Sequence, residues 1–385
     1  MKIAYVYPQF ARLAGTERVL IDKMNYLADQ KGVEVMMVTY EQGTHPFAYP
    51  LSPKVKHVDL DLRFYQLYQY NSIVRLFKWC QYSKLLKRRF NQLMEESMPD
   101  IVITTTYHCN IMKMIDDCPT RFVKILESHI DKRFIHSNDP ANYRNWRTRL
   151  RSLYDMKVLT RKACKFDVLV ALHSKDAVDW PHGLNTRVIP NIVHLNDTGR
   201  ICNYNSKRVI FVGRYIYQKG IPDLLRIWRI VHKRHPDWHL DMYGDGDVQE
   251  VPCSEEARLQ MNIHVHQSDV NIFERYLESS IFVLTSLFEP FGLVMPEAMS
   301  CGLPVVAFDC PSGPASIITD GVDGFLIKDR DVNLFADKLC SLMESSDLRH
   351  SMGKAAILSS QRYSADRIMI QWMNLFNELL ASRSS

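Results

Sequence analysis

Residues 281–308 read IFVLTSLFEPFGLVMPEAMSCGLPVVAF and contain a complete strand–loop–helix–strand unit. The stretch opens and closes with apolar, partly β-branched runs that are typical of buried strands. Pro296 is tolerated only in the first turn of a helix, so the spacing predicts a helix that begins near Leu293. Gly302 is a natural helix end. A helix that joins two buried strands indicates an α/β fold with a parallel sheet.

The same alternation of strands and helices runs through both halves of the chain. Short apolar stretches rich in β-branched residues favour parallel strands that are covered on both faces. Apolar residues recur at helical spacing in Thr16–Gln30, in Pro222–His235 and after Ser364. Strands are predicted near Ile3–Tyr7, Val33–Thr39, Asp100–Thr104, Phe122–Leu126, Asp167–Ala171, Arg187–Ile189, Val209–Val212, Leu240–Tyr243, Ile263–His266, Ile281–Thr285, Val305–Phe308 and Phe325–Ile327.

This organisation predicts two doubly wound, Rossmann-like α/β domains that face each other across a cleft. We expect the first domain at 1–195 and the second at 196–363, with the polar stretch His194–Lys207 as the hinge. The apolar face of the last helix, 364–385, needs a partner, and we expect it to pack back on the first domain. Ligands of doubly wound sheets bind at the carboxyl ends of the strands, so the cleft is the expected site.

The composition excludes several classes of protein. The chain has 385 residues, 46% of them hydrophobic and 24% charged, which is an ordinary globular balance. No run approaches the roughly 18 apolar residues of a membrane-spanning helix, and the N-terminus lacks a signal-peptide pattern, so we expect a cytoplasmic protein. The nine cysteines are spread singly without a C-x-x-C pair, which argues against a disulfide framework and a structural zinc site. A net charge of +5 is no nucleic-acid signature.

The loop that precedes the helix in 281–308 is a candidate anion site. Gly292 lets the backbone approach a ligand closely, and the free N–H groups of a helix start attract negative charge. Two carboxylates, Glu289 and Glu297, bracket this loop. The alternative is that Glu289 caps the helix and Glu297 is an ordinary helix residue. The amides without intrahelical partners are predicted to be those of Phe291, Gly292, Leu293 and Val294.

A second candidate site follows the first predicted strand of the second half. Gly213 ends that strand, and Arg214 and Lys219 lie five residues apart in the loop before a helix. Two cations beside a helix start could hold a diphosphate, with arginine as a fork and lysine as a point charge. The alternative is a pair of solvated loop charges.

Two segments of the first half lie at the ends of predicted strands. Gly15 and Thr16 stand between the first strand and the first helix, where glycine could admit a ligand and threonine could cap or bind. Glu127-Ser128-His129 follows the strand at 122–126, and His129 could contact a sugar or orient a leaving group. A plain turn and a satisfied loop histidine are the alternatives.

Residues 63–93 interrupt the alternation and are rich in aromatic and basic residues. We interpret them as one or two amphipathic helices inserted between strands. The simpler interpretation is a packed surface helix. The other is that the aromatic and basic face makes peripheral contact with an anionic membrane or a lipid-linked acceptor.

Together these segments resemble the retaining glycosyltransferases of family 4, which have the GT-B fold. The most specific segment, EPFGLVMPEAMSCGLPVVA at 289–307, is similar to the E-x7-E signature of that family. The resemblance covers nearly the whole chain and keeps the order of the family's motifs. The other matching segments are GTER at 15–18, VIPN at 188–191, VGR to KG at 212–220 and YGDG at 243–246.

The resemblance implies a UDP- or GDP-sugar donor held mainly by the second domain. Glu297 would hold the ribose, and Arg214 and Lys219 the diphosphate. The resemblance assigns catalytic roles to Glu289, His129, Arg214 and Lys219, with His129 near the transferred sugar. Donor-binding residues would be Gly15, Thr16, Gly213, Arg214, Lys219, Phe291, Gly292, Leu293, Val294 and Glu297. The acceptor would be a glycan or a lipid-linked glycan in cell-surface polysaccharide synthesis, with no nucleic-acid partner.

Three positions depart from the family pattern. VIPN continues with Ile192-Val193-His194 where GVD is common, Ser316 stands where a glutamate is common, and Ala14 replaces the first glycine of a pair. The first two lie outside the expected diphosphate contacts.

Fixed cations and amides on the departing diphosphate would favour the transition state over the ground state, so we expect no metal and no cofactor. The configuration of the sugar would be retained. One alternative is a metal-dependent GT-A enzyme that uses a D-x-D string, at Asp59-Leu60-Asp61 or Asp245-Gly246-Asp247. The other is a non-catalytic nucleotide-sugar-binding protein of the same fold.

Overall fold

The computed structural model describes residues 1–132, 146–246 and 251–384. Within these ranges the chain forms two compact units. The first unit comprises residues 1–132, 146–192 and 368–384, and the second comprises 193–246 and 251–367. The second D-x-D string ends at Asp247, outside the described residues.

The first unit is built on a seven-stranded parallel sheet with strand order β3-β2-β1-β4-β5-β6-β7 among its described residues. Order reverses between β1 and β4, which makes this pair the topological switch point of the sheet. The strands are β1 Lys2–Val6, β2 Glu34–Thr39, β3 Lys56–Asp59, β4 Ile101–Thr105, β5 Val123–Ser128, β6 Val168–Ala171 and β7 Thr186–Val188. The helices are α1 Gly15–Ala28, α2 Ser72–Ser97, α3 Cys109–Asp116, α4 Trp146–Ala163 and α5 Ser174–Val178.

The second unit repeats this plan with six parallel strands in its described part, in the order β10-β9-β8-β11-β12-β13, and its switch point lies between β8 and β11. Its strands are β8 Arg208–Val212, β9 His239–Tyr243, β10 Ile263–His266, β11 Ile281–Leu284, β12 Val305–Phe308 and β13 Gly324–Ile327. Its helices are α6 Ile221–Arg234, α7 Glu255–Gln260, α8 Ile272–Glu278, α9 Val294–Ser300, α10 Pro314–Ile317, α11 Val332–Glu344 and α12 Ser346–Ser360. The last helix, α13, spans Ala365–Ser384, and its residues from Ile368 on belong to the first unit.

The two sheets confirm the predicted class of two doubly wound α/β domains. The central strands are buried along their whole length, because helices cover both faces of each sheet. The prediction missed β3, an edge strand whose sequence KHVD is short, polar and only half-buried. Two separate parallel sheets are incompatible with the single-sheet GT-A alternative.

The inserted segment forms a 3-10 helix at Phe64–Gln69 followed by α2. The Asn71 side chain caps α2 by accepting a hydrogen bond from the backbone amide of Val74. Only Leu86, Phe90 and Met94 of α2 are buried, so its first half stands largely exposed. None of the helices in the described ranges is long and apolar enough to cross a membrane.

Candidate active site

The residues predicted in the second unit gather at the β8/β11 switch point. The strand β8 runs into Gly213, and the chain after β11 carries Thr285 to Glu289. A Cβ on Gly244 would lie 2.0 Å from the carbonyl oxygen of Gly213, and one on Gly220 would lie 2.1 Å from that of Thr285. Glycine is therefore required at both positions, because the loops after neighbouring strands touch there through their backbones.

Lys219 and Glu289 form a buried ion pair at this switch point. The Lys219 Nζ atom lies 2.5 Å from Glu289 Oε2, although the two residues are 70 positions apart. The Ser286 hydroxyl donates a second hydrogen bond, of 3.0 Å, to the same carboxylate oxygen. Gly213 lies against the Lys219 stem, since a Cβ there would lie 3.2 Å from Lys219 Cε. Lys219 is thus held in place by its ion pair with Glu289 and by the backbone at Gly213.

The backbone around Glu289 is fixed by two glycines. Gly292 has a φ of +85°, and a Cβ there would lie 2.9 Å from Glu289 Cγ. The Gly313 amide donates to the Glu289 carbonyl at 2.6 Å, and a Cβ on Gly313 would lie 2.3 Å from the Phe291 carbonyl oxygen. A side chain at either glycine would therefore displace the loop that carries the carboxylate.

Glu297 lies on α9 and is 3% exposed. The Tyr276 hydroxyl donates to its Oε2 atom at 3.4 Å. Phe291 is also buried, with its ring packed edge-on against Tyr363 at 5.3 Å. Leu293 and Val294, at the start of α9, are half-buried. The amides of this loop remain a predicted contact.

Arg214 differs from its neighbour Lys219. Its side chain is exposed and makes no ion pair with any residue that the structure describes. The structure therefore joins Lys219 to Glu289 and leaves Arg214 at the surface of the same loop. A solvated arginine can turn toward an arriving anion without breaking an existing contact.

In the first unit, His129 belongs to a buried network. Its Nε2 atom lies 2.8 Å from Glu127 Oε2, and the other oxygen of Glu127 lies 2.5 Å from Lys23 Nζ. The Lys23 ammonium stands over the Trp372 ring of α13, 3.5 Å from its centroid. Among the described residues, the buried Nδ1 atom of His129 has no hydrogen-bond partner. One ring nitrogen is thus positioned by the protein, and the other is an unsatisfied polar atom within the described part of the chain.

The charges of this network follow from its burial. Burial raises the pKa of Glu127, but Lys23 and His129 outweigh that effect and bring the pKa down to about 2. Burial lowers the pKa of Lys23 to about 8, against the opposing attraction of Glu127. Glu127 and Lys23 are therefore both charged at neutral pH.

The Gly15 and Thr16 segment begins α1 at the β1/β4 switch point. Thr16 Oγ1 lies 3.4 Å from the Tyr107 hydroxyl of the loop after β4. The next residue, Glu17, is buried and accepts a 3.3 Å hydrogen bond from the Tyr7 hydroxyl. Burial raises the pKa of Glu17. This edge of the unit thus carries polar groups that the structure connects by hydrogen bonds.

The sequence analysis missed several residues that hold these sites. Lys23 shows a signal, because it lies three or four positions from Val19, Leu20 and Leu27 on the apolar face of α1. Arg330 showed no signal in the sequence. In the structure it follows β13 and pairs with Asp223. It also donates to the carbonyls of Thr285 and Ser286 at 3.0 and 2.8 Å. Such a link between distant loops depends on the sheet order.

No group of three or more potential metal-ligating side chains occurs among the described residues. In the first D-x-D string, Asp59 accepts hydrogen bonds from Thr39 and from the Gly43 amide and pairs with Arg63. In the second, Asp245 accepts a hydrogen bond from Ser268. Asp59 and Asp245 therefore already have protein partners.

The second unit and the whole chain are similar to known glycosyltransferases. Residues 202–358, which include every candidate residue of the second unit, match the family model of the glycosyl transferases group 1. An uncharacterized glycosyltransferase of Haemophilus influenzae is 25% identical over 97% of this chain and 99% of its own length. The amylovoran biosynthesis glycosyltransferase AmsD of Erwinia amylovora is 32% identical over 54% of this chain and 61% of its own length.

The fold recurs in solved glycosyltransferases with the GT-B fold. A TarM variant from S. aureus, solved with fondaparinux, alpha-GlcNAc-glycerol and UDP, matches with a TM-score of 0.76. The match covers 98% of this chain and 99% of that one, at 16% sequence identity. It shows that the GT-B fold, as predicted, is the fold of this chain.

Proposed function

We propose that this chain, which carries a glycosyl transferases group 1 domain at residues 202–358, is a retaining glycosyltransferase of cell-surface polysaccharide synthesis. It moves a hexose-type sugar from a nucleotide diphosphate sugar to a glycan or a lipid-linked acceptor. The observation that carries the proposal is the Lys219–Glu289 pair at the β8/β11 switch point. In doubly wound folds this is where ligands bind. The UDP in the TarM structure supports a UDP-sugar as the donor. GDP-sugars are the alternative donors in the test below.

The charges of the second unit suit a departing diphosphate. Breaking the sugar–phosphate bond moves negative charge onto the leaving oxygen. We propose that Lys219 and Arg214 hold that charge, with the amides of Phe291, Gly292, Leu293 and Val294 beside it. Glu289 keeps Lys219 in place until the ligand arrives and contacts the donor sugar. Glu297 holds the ribose hydroxyls. Gly213 leaves room for the lysine stem.

In the first unit, we propose that His129, whose Nδ1 atom has no hydrogen-bond partner among the described residues, lies near the transferred sugar. Glu127 orients the imidazole through the other nitrogen, as a carboxylate does for many functional histidines. Gly15 and Thr16 contribute backbone and hydroxyl contacts to the donor.

The stereochemistry of transfer tests the proposal directly. The purified chain would be incubated with a glycan acceptor and each of a panel of α-linked UDP- and GDP-sugars, and the anomeric proton of the new glycosidic bond would be followed by NMR. A product with the α configuration is expected. A β product would contradict retention. Tight nucleotide binding without transfer or hydrolysis of any donor would favour the non-catalytic alternative.

Metal independence is a separate part of the proposal. Because side-chain cations and amides are assigned to the diphosphate, turnover is expected to survive EDTA. Loss of turnover in EDTA with recovery in manganese would contradict this assignment.

We further propose that 63–93 makes peripheral contact with an anionic membrane that holds the lipid-linked acceptor. The segment contains seven Lys or Arg residues and no Asp or Glu. Its exposed apolar side chains include Ile73, Leu76 and Phe77, which are 83%, 66% and 65% exposed. A basic surface with apolar side chains in its midst is typical of interfacial helices.

Vesicle sedimentation tests this contact. The wild-type chain is expected to sediment with phosphatidylglycerol vesicles and not with phosphatidylcholine vesicles. Ile73→Ser with Phe77→Ser is expected to abolish sedimentation, while the control Leu358→Ser, at a position 76% exposed in the second unit, leaves it intact. Equal sedimentation of both variants would contradict the assignment.

A further inference from the structure

One arginine, Arg330, joins three loops at the carboxyl edge of the second sheet. It lies in the turn at 328–330 that follows β13, and its guanidinium makes four hydrogen bonds. Two of them go to the same carboxylate oxygen of Asp223, in the first turn of α6. The other two go to the carbonyl oxygens of Thr285 and Ser286, in the loop after β11. One side chain therefore connects the ends of β11 and β13 with the start of α6.

The guanidinium of Arg330 is partly enclosed and already bonded. Its side chain is 29% exposed, and its central carbon lies 4.4 Å from the centroid of the Phe308 ring. A Cβ on Gly220 would lie 3.2 Å from one of its terminal nitrogens. The four hydrogen bonds use most of the donors that a guanidinium carries. Arg330 is therefore suited to hold protein in place, whereas the exposed Arg214 can turn toward a ligand.

The backbone of the turn at 328–330 is unfavourable by itself. Asp329 and Arg330 have φ angles of +55° and +53°, in the left-handed region that residues with a Cβ rarely adopt. Such conformations persist where the surrounding contacts hold them, and they concentrate at functional sites. In this turn the contacts of the Arg330 guanidinium provide that hold.

The two residues whose carbonyls bind Arg330 also contact the Lys219–Glu289 pair. The Thr285 hydroxyl donates to the carbonyl oxygen of Lys219 at 3.0 Å. The Ser286 hydroxyl donates to the carboxylate of Glu289, also at 3.0 Å. Each member of the ion pair is thus one hydrogen bond away from a residue that Arg330 holds.

We propose that Arg330 is a positioning residue that sets the placement of Lys219 against the diphosphate of the donor. The planar fork of a guanidinium reaches several acceptors at fixed angles, which a lysine ammonium cannot do. Loss of the fork lets the loops after β11 and before α6 move apart, and a small misplacement of a charged group weakens its contact with a ligand. The proposal rests on the proposed function, because that function assigns Lys219 to the diphosphate.

Calorimetric titration with UDP and GDP tests this role. Arg330→Lys keeps the charge and removes the fork, and it is expected to bind the nucleotide that binds the wild type about tenfold more weakly. In the Lys219→Met background the same change is expected to alter affinity less than about twofold, because the group that Arg330 positions is gone. Equal losses in the two backgrounds would overturn the proposal, since Arg330 would then act without Lys219.

The matched control is Arg349→Lys. Arg349 lies on α12 and also donates to the backbone carbonyls of distant segments, those of Tyr204 and Leu342. Its guanidinium also lies over an aromatic ring, 5.5 Å from the centroid of Trp238. Tyr204 and Trp238 precede β8 and β9, at the amino edge of the sheet. Arg349→Lys is expected to lower the midpoint of thermal unfolding and to leave nucleotide affinity unchanged. A comparable loss of affinity in this control would overturn the proposal.

Chemical rescue separates positioning from a loss of folding. Arg330→Ala leaves a gap between the Asp223 carboxylate and the Phe308 ring that methylguanidinium can fill. Addition of methylguanidinium is expected to restore most of the nucleotide affinity that this variant loses. The double variant Arg330→Ala, Lys219→Met is expected to gain nothing. An equal gain in the double variant would overturn the proposal, and so would the absence of recovery in a variant with the circular dichroism spectrum of the wild type.

The same titrations distinguish failure of the proposal from failure of the proposed function. Weak binding by Lys219→Met together with wild-type binding by Arg330→Lys would overturn the positioning role alone. A wild-type chain that bound neither UDP nor GDP would overturn both.

Discussion

Each unit of the protein buries a lysine–carboxylate pair with the same 2.5 Å separation, but the two pairs differ in their access to solvent. The Lys23 and Glu127 side chains of the first unit are 2% and 4% exposed, and the Trp372 ring covers the ammonium. The Lys219 and Glu289 side chains of the second unit are 11% and 9% exposed.

The difference assigns different roles to the two pairs. The sealed pair, Lys23 and Glu127, cannot exchange its partner for a ligand, so we expect these two residues to act by holding the His129 ring in place. The open pair, Lys219 and Glu289, is less enclosed than the sealed pair, so we expect its lysine to shift from the carboxylate to an arriving phosphate. We therefore expect mutations in the sealed pair to change stability most, and mutations in the open pair to change turnover most.

The largest effect is expected from Lys23→Met. It leaves the Glu127 carboxylate buried without a cation, which costs about 3–5 kcal/mol of unfolding free energy. Lys219→Met is expected to cost about 1–2 kcal/mol, because the Ser286 hydroxyl and solvent still reach Glu289. Urea unfolding followed by circular dichroism compares the two.

The matched control for Lys23→Met is the double variant Lys23→Met, Glu127→Gln, which removes the uncompensated charge. It is expected to recover most of the lost stability. Equal destabilisation by the two single lysine variants would remove the distinction between a sealed and an open pair.

The next largest effect is expected in the pH dependence of the unfolding free energy, which should depend on the sealed pair. The Glu127 pKa is about 2 in the folded chain against an ordinary value of 4.5. The unfolded chain therefore takes up the proton first as the pH falls, and stability is lost between pH 4.5 and 2. The loss should be on the order of 3 kcal/mol, and Glu127→Gln should lack it. Unfolding measured across this range checks the difference; identical slopes would contradict the pairing.

For the open pair, Glu289→Gln should lower turnover about 100-fold, since it keeps the shape of the site but removes a charge beside the reacting centre. The midpoint of thermal unfolding should change little, because the amide can still accept from Lys219 and Ser286. Glu278→Gln, an exposed glutamate of the same unit that pairs with Arg275, is the control and should keep full activity. Wild-type turnover in Glu289→Gln would exclude a catalytic role.

The smallest effect concerns the ring that covers Lys23. Trp372→Phe would be made in the wild-type chain and in the double variant Lys23→Met, Glu127→Gln. The difference between the two losses of stability isolates the contact between ammonium and ring, which should be about 0.5–2 kcal/mol. Equal losses in the two backgrounds would mean that Trp372 covers the pair without stabilising its charge.

The fold was predictable because most of its strands are apolar runs such as Val305–Phe308. The strand β3 was missed because its sequence KHVD contains a single apolar residue. The other edge strand of the first sheet, Thr186–Val188, is also polar and exposed, but it includes Val188 and adjoins Ile189, which are apolar. Gly213 and Gly302 marked their element ends from sequence alone. The helix α9 begins at Val294, next to the predicted start.

The sequence indicated candidate site residues but not the pairs that they form. Lys219, Glu289 and His129 stood out because each follows a predicted strand. That Lys219 pairs with Glu289 depends on β8 and β11 being neighbours, which no local pattern specifies. The Lys23 partner of Glu127 lies 104 positions away and emerged only from the packing of α1 against the sheet.

The most direct test of the account is a calorimetric titration with UDP and GDP of three chains: the wild type, Lys219→Met, and the stability-matched double variant Lys23→Met, Glu127→Gln. One of the two nucleotides is expected to bind the wild type. We predict that it binds Lys219→Met at least about tenfold more weakly, because a charge-assisted contact to phosphate is lost. The double variant in the sealed pair should bind that nucleotide as the wild type does. Wild-type affinity in Lys219→Met, or an equal loss in both variants, would contradict the assignment of the open pair to the donor.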